Sequence, residues 1–401
     1  MLIVQKYGGT SVGSIERIKA VAQRVKRAAD RGDQVVVVVS AMSGDTNNLI
    51  DMALKISKTP TTREMDMLLS SGERVTCALT AIALSELGAN AIALTGRQAG
   101  IVTDGVHTKA RIEEVPSEPI LKHLREGKIA VIAGFQGITR DGDVTTLGRG
   151  GSDLTAVAIA GAIKADLCEI YTDVDGVYTT DPRIEDKAKK LDRISYDEML
   201  ELASLGAKVL QNRSVELAKK LRVKLVTRSS FNDREGTLIT SEEECMEKPI
   251  VSGVALDKNQ ARASLIRVED RPGVAAEIFG ALASAAINVD MIVQTIGRDG
   301  KTNLDFTIPS AELEQTKRAL KDFGGALDKQ EFDDQVCKVS IVGVGMKSHS
   351  GVAARLFSSL AKENINILMI STSEIKVSVV IERKYGELAV RILHAAYDLD
   401  K

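Results

Sequence analysis

The chain has 401 residues, too many for one hydrophobic core, so two or three domains are expected. Its 44% hydrophobic and 27% charged residues are ordinary for a soluble globular protein. A net charge of −2 gives no basic field for nucleic acid or an anionic membrane, and 3% aromatics without Trp leave little for stacking on bases.

Four cysteines (Cys77, Cys168, Cys245, Cys337) show no CxxC spacing and read as thiols of a reducing cytoplasm. The valine run 35–39 is far too short to span a bilayer. No basic segment precedes the first apolar stretch, and Gly8-Gly9 breaks that stretch at once. A cytoplasmic location is expected, with no membrane or nucleic-acid partner.

In chain order, "MLIV" leads into "QKYGGTS" (5–11), and a helix is expected from Ile15 to Arg31. Strand candidates follow at 34–40, 91–94, 129–135, 168–173 and 223–227. Their all-apolar character marks a mainly parallel sheet covered by helices, an α/β domain over 1–245. Ligands of such sheets bind at the carboxyl ends of the strands. The polar, acidic stretch 232–249, ending near Pro249, reads as a domain boundary.

Beyond it lies an internal repeat. "GVAAEIFGALASAAINVDMI" (273–292) aligns without gaps to "GVAARLFSSLAKENINILMI" (351–370), with eleven identities in twenty positions. Each copy reads strand, helix, strand, strand, helix: 263–268, 273–286, 288–297, 302–308 and 310–322, then 336–343, 351–363, 366–373, 375–382 and 386–397. Only the first copy has room for a last strand, near 326–332. The spare strand 250–256 is therefore expected to complete the second copy, nesting the first module (263–335) inside the second (250–262 plus 336–401). A plain linker strand is the alternative.

Several motifs carry chemistry. In "KYGGTS", Lys6 precedes Gly8 and Gly9, a pattern that lets backbone N–H groups and one full charge meet an anion. It is no Walker A loop, because Ser14 stands where that loop needs lysine. In "TTLGRGGSD" (145–153), Gly148, Gly150 and Gly151 surround Arg149 before Ser152 and Asp153 open a helix. Ser152 or Asp153 is expected as its N-cap, and the Arg149 fork suits a carboxylate. "YTDVDGVYTTDPR" (171–183) is either an elaborate turn or a grip for ribose and phosphate. Thr46 in "SAMSGDTNNL" follows a strand end, and "SSGERV" (70–75) is expected at a helix start, with Glu73 a ligand for an amino group or a first-turn acid. The histidines (His107, His123, His349, His394) form no metal or triad spacing and read as non-catalytic.

These pieces, with "GFQGIT", "VLQNRSVELA" and "RSSF", closely resemble in order the aspartate kinase family, built on the amino acid kinase fold, and the repeat resembles its paired ACT domains. The likeness spans essentially the whole chain. Small departures are Leu154, where Thr is expected, and Thr227, where Val is commoner.

The resemblance implies an α/β kinase domain followed by two α+β βαββαβ modules. It implies ATP-dependent phosphorylation of the L-aspartate side chain, with Mg²⁺. It makes Lys6 and Asp153 catalytic, and Ser40, Thr46, Glu73, Arg149, Gly150, Gly151 and Ser152 substrate-binding. Lys6, Gly8, Gly9, Thr172, Asp173, Tyr178, Asp181, Arg183 and Lys208 fall on the nucleotide side. No metal-ligand set is expected. Paired ACT modules imply a homodimer or higher oligomer, inhibited by lysine, threonine or both. Effector positions are Asp270, Gly273, Val274, Ala275, Asn288, Asp290 and Gln294 in the first copy, and Asn364, Asn366, Ser373 and Glu374 in the second. Asn288, Asp290 and Gln294 are expected to share one strand face. Leu368 replaces Asp290 in the second copy, so the two are not equivalent sites.

The chemistry agrees. An aspartate carboxylate, with a pKa of about 4, is ionised at neutral pH and needs no general base. A sibling kinase acting on another acid, carbamate or a nucleotide, and a non-catalytic amino-acid sensor, are the competing readings.

Overall fold

A computed structural model describes residues 1–205, 209–244, 250–297, 299–321, 323 and 328–401. The chain divides into two compact units. One comprises Met1–Val177, Lys190–Ala203 and Lys208–Met246; the other comprises Tyr178–Lys189, Ser204–Ala207 and Glu247–Lys401.

The elements of the first unit run β1 (Leu2–Tyr7), α1 (Ile15–Asp30), β2 (Gln34–Val39), α2 (Asp45–Ile56), α3 (Thr62–Glu86), β3 (Ala91–Leu94), β4 (Val102–Thr103), β5 (Ile112–Glu114) and α4 (Glu118–Arg125). They continue as β6 (Ile129–Ala133), β7 (Gln136–Ile138), β8 (Val144–Thr146), α5 (Gly151–Ala162), β9 (Leu167–Thr172), β10 (Arg193–Ser195), α6 (Tyr196–Ser204), α7 (Asn212–Leu221), β11 (Leu225–Ser229) and β12 (Thr237–Thr240). The main sheet has the order β10-β12-β11-β9-β1-β2-β6-β3, and a small second sheet the order β5-β4-β7-β8. All neighbours from β11 to β3 pair in parallel; only β12 runs against β11.

The five valines of β2 are all buried because helices cover both faces. Val35, Val37 and Val39 join Val21 and Val25 of α1 and Leu84 of α3 in one cluster. Helix α1 follows its sequence rule: Ser14 caps it, accepting from the Arg17 N–H, and Ile18, Val21, Ala22, Val25 and Ala28 form its buried stripe. Among the described residues one helix, α3, is long and apolar enough to cross a membrane. Its buried face carries Asp66, Ser70, Glu73, Thr76 and Thr80, the pattern of a core helix that holds polar side chains.

The second unit holds β13 (Gly253–Glu269), α8 (Val274–Ser284), β14 (Ile292–Ile296), β15 (Lys301–Pro309), α9 (Leu313–Ala319), β16 (Lys329–Val342), α10 (Val352–Lys362), β17 (Met369–Thr372), β18 (Lys376–Glu382) and α11 (Gly386–Ala396). They form one antiparallel sheet, β14-β15-β13-β16-β18-β17. The repeat does not produce two separate sheets. Strands β13 and β16 each run through both halves: Gly253–Asp257 pairs with Lys338–Val342, and Arg262–Ile266 pairs with Lys329–Asp333. Each half packs its own pair of helices, giving one core around Phe306, Leu282 and Ile278 and another around Val339, Leu360 and Leu393.

Phe306 is fully buried and meets Phe279 edge to face, with ring centroids 5.6 Å apart. Phe306→Ala is expected to destabilise this core by about 3–5 kcal/mol. Urea unfolding followed by circular dichroism would measure it; a loss under 1 kcal/mol would mean the cavity collapses freely.

Candidate active site

Four chain segments leave the sheet side by side at the carboxyl ends of β1, β2, β6 and β9. Backbone hydrogen bonds tie them: Gly8 N–H to Tyr171 O, Ser40 N–H to Tyr7 O, and Gly134 N–H to Val39 O. Lys6 is the penultimate residue of β1, and its neighbours on both sides are parallel strands. Its ammonium lies 2.6 Å from Asp153 Oδ1, and both side chains are nearly buried. Asp153 lies in the first turn of α5, where the helix dipole favours an acid.

The cap of α5 differs from expectation. Neither Ser152 nor Asp153 caps it; the N-cap is Gly150, at φ 73°. A Cβ at Gly150 would lie 2.4 Å from Gln211 Cγ, so this turn requires glycine for space as well as conformation. The Gln211 amide donates to Arg149 O at 2.9 Å, and Arg213 donates to Leu147 O at 2.8 Å. The arginine turn is thus pinned from α7, while the Arg149 residue itself is exposed.

Glu73 also departs from expectation. It lies in the middle of α3, three turns from the start at Thr62, not in a first turn. A Cβ on Gly72 would lie 2.8 Å from Ala41 Cβ, so the glycine lets the helix press against the loop after β2. Glu73 Oε1 there accepts the Ala41 N–H at 3.1 Å. Its second oxygen is buried with no hydrogen-bond partner among the described residues. Burial pushes the Glu73 carboxyl up to about 7, opposed by the Ala41 N–H and aided slightly by the charge of Asp45. Ser40 is half-buried, and Thr46 is half-buried in the first turn of α2.

Thr172 closes β9 and donates to Asp173 Oδ1 at 3.0 Å. Of the same motif, Tyr178, Asp181 and Arg183 belong to the second unit. Arg183 forks onto Asp181 at 2.7 Å, and this exposed pair holds the Asp181 carboxyl below its usual value. Lys208 lies outside the described residues.

Among the effector positions, Gly273 (φ 95°) caps α8, and Val274 and Ala275 open that helix. Asp270 donates its N–H to Gly300 O. Asn288 and Asp290 are not on a strand, because β14 begins only at Ile292; of the three, Gln294 alone is in it. The Asn288 N–H instead donates to Glu312. Asp290 forms an ion pair with Lys338, whose side chain is buried in the central strand β16. Asn364 (φ 55°) and Asn366 are exposed between α10 and β17, and Ser373 N–H turns back to Lys376 O.

One group escaped the sequence reading. Asp66 is fully buried on α3, where its carboxylate accepts from His107 Nδ1 at 2.7 Å, the Thr108 N–H at 3.0 Å and the Thr146 hydroxyl. The signal was its position seven residues before Glu73, two helical turns along the same face.

The model of the amino acid kinase family matches residues 1–228, and ACT domain models match 264–325 and 339–397. An aspartokinase of Helicobacter pylori is 65% identical over all of both chains. Aspartokinase III of E. coli, solved with aspartate and ADP, is 26% identical, with a TM-score of 0.82 over 99% of each chain. The same enzyme solved with lysine and aspartate is 27% identical, with a TM-score of 0.80 over 98% of this chain and 99% of that one.

A mainly parallel sheet with glycine loops at its carboxyl ends, followed by paired ACT modules, defines a small-molecule kinase under allosteric control. The chain belongs to the amino acid kinase family and, within it, to the aspartate kinases, which take a nucleotide as co-substrate.

Glu73 supplies a pH test. Its carboxyl keeps a proton in the folded state where the unfolded chain has lost it, so folding stability falls as pH rises from the ordinary carboxylate range to about 7. Glu73→Gln removes that slope. Between pH 5 and 8, without ligand, the variant is expected to gain about 2–3 kcal/mol on the parent in urea unfolding. Parallel pH profiles would mean that Glu73 is ionised throughout.

Proposed function

We propose that the chain transfers the γ-phosphoryl group of ATP to the side-chain carboxylate of L-aspartate, giving 4-phospho-L-aspartate, the first step towards lysine, threonine and methionine. The observation that carries this reading is the near-buried Lys6–Asp153 ion pair at the end of β1. One aspartate carboxylate oxygen forms a bond to phosphorus as the bond to the ADP oxygen breaks. No proton moves, because the nucleophile is already an anion. The barrier is the repulsion between anion and polyanion, so positioning and electrostatic stabilisation carry the rate.

Lys6 and the backbone N–H groups near Gly8 and Gly9 oppose that negative charge. Asp153 holds the Lys6 ammonium in place. Arg149 takes the α-carboxylate of aspartate, and Glu73, through its unpartnered oxygen, takes the ammonium. Ser40, Thr46, Gly150, Gly151 and Ser152 line the substrate side; Thr172, Asp173, Tyr178, Asp181, Arg183 and Lys208 serve the nucleotide. Among the described residues no three His, Cys, Asp or Glu side chains form a metal cluster. A Mg²⁺ ion carried in on the nucleotide phosphates would supply charge neutralisation there.

The proposed domains are 1–245, 263–335, and 250–262 with 336–401. Lysine, threonine or both act as feedback inhibitors through the second and third domains, in a homodimer or larger assembly in the cytoplasm. The α8 N-terminus at Gly273–Ala275 offers N–H groups to an effector carboxylate. Asp270, Asn288, Asp290 and Gln294, with Asn364, Asn366, Ser373 and Glu374, complete the effector positions. Lysine in the E. coli structure supports that effector.

The test is ATP-dependent hydroxamate formation from L-aspartate in hydroxylamine, which traps the acyl phosphate. Signal is expected, falling with lysine, threonine or their mixture. Lys6→Met should lower kcat by about 10³-fold and Asp153→Asn by about 10²-fold, the size of losing one preorganised charge. Near-normal turnover in Asp153→Asn would end the orienting role of Asp153. ADP release with another acceptor but not aspartate would move the reading to a sibling kinase.

A further inference from the structure

We propose that Asp66 and His107 are positioning residues, which fix the arginine turn 147–150 through a strained residue, Thr108. The inference rests on the reading of Arg149 as the ligand of the aspartate carboxylate. Thr108 has φ 67°, a left-handed conformation that a β-branched residue adopts only when its surroundings force it. The force is visible. The Thr108 N–H donates to both oxygens of the buried Asp66 carboxylate, at 3.0 and 3.1 Å. The neighbouring His107 donates Nδ1–H to the same carboxylate at 2.7 Å.

The strained residue backs the turn directly. A Cβ on Gly148 would lie 3.1 Å from Thr108 O, so the two backbones are in contact. Gly148 and Gly150 are themselves left-handed, at φ 75° and 73°, and Arg149 stands between them. On its other side the turn is held by Gln211, the N-cap of α7, and by Arg213 in its first turn. Asp66 also accepts the hydroxyl of Thr146, two residues before Gly148 on β8. One buried carboxylate thus grips both approaches to the arginine turn. Its hydrogen-bond partners are protein groups behind the turn, so its effect is expected on the aspartate side alone.

The experiment measures kcat and both KM values in the full-length enzyme for Asp66→Asn, for Asp66→Asn with Thr108→Gly, for His107→Leu and for Arg149→Ala. Asp66→Asn is expected to raise KM for aspartate roughly tenfold or more, the scale of one released backbone strain, with KM for ATP within about twofold. Glycine takes φ 67° without a clamp, so adding Thr108→Gly should recover most of the aspartate KM. A merely structural role would lower the melting temperature, move both KM values together and show no rescue by glycine; that result overturns the proposal.

If Asp66→Asn does not fold, His107→Leu leaves two donors on the carboxylate. It should still raise KM for aspartate about threefold with ATP unaffected. No such split there also overturns the proposal. Arg149→Ala separates the layers. If it raises KM for aspartate while the Asp66 and His107 variants do not, the positioning role alone falls. If Arg149→Ala leaves KM for aspartate unchanged, the carboxylate-ligand reading falls and takes this inference with it.

Discussion

A near-buried ammonium at the end of a parallel strand is the constraint on which the kinase unit is built. Removing a charge from water is costly unless an opposite charge replaces the lost hydration. Lys6 has Asp153 at 2.6 Å for this purpose. That pairing dictates the approach of α5, whose first turn must come within reach of β1. The glycine before α5 answers a separate need, because a side chain at Gly150 would collide with Gln211. The ion pair sets where α5 starts, and packing against Gln211 sets the glycine turn that leads into it.

Helix α3 meets a parallel requirement with the opposite sign. Its buried face carries two carboxylates, handled in different ways. Asp66 is satisfied by three donors, and so belongs to the scaffold. Glu73 accepts the Ala41 N–H on one oxygen and leaves the other without a partner among the described residues, and burial pushes its carboxyl up to about 7. On a single helix, the satisfied acid gives rigidity and the unsatisfied acid gives an unmet demand for a cation.

Much of the architecture was legible because burial on two faces leaves a plain mark. The valines of β2 and the apolar β6 and β9 could only be central strands. Lys6 and Asp153 were readable from their motifs, although 147 positions in the chain separate them, and an acid there was expected to orient Lys6 or the phosphates. Glu73 was read at a helix start, in SSGERV (70–75). In the structure Gly72 answers a different need, close approach to Ala41, which no local pattern reveals. Asn288 and Asp290 were read on a strand from alternation alone. The preceding turn, with Ala286 at φ 55°, delays the strand to Ile292, and Asp290 finds a lysine on a distant strand. Local signals located the elements; what long-range packing decided stayed hidden.

The shared strands of the second unit have a consequence for synthesis. The first half of β13 leaves the ribosome before the inner half-sheet is made, yet Gly253 takes Val342 as its partner. Until β16 emerges, Gly253–Asp257 is an unprotected edge on the nascent chain, open to pairing with another chain. The inner half can close first, around β13, β14 and β15, and it then carries the waiting edge into register. Completion of the outer half therefore waits for β16, β17 and β18, all of which follow the inner half along the chain.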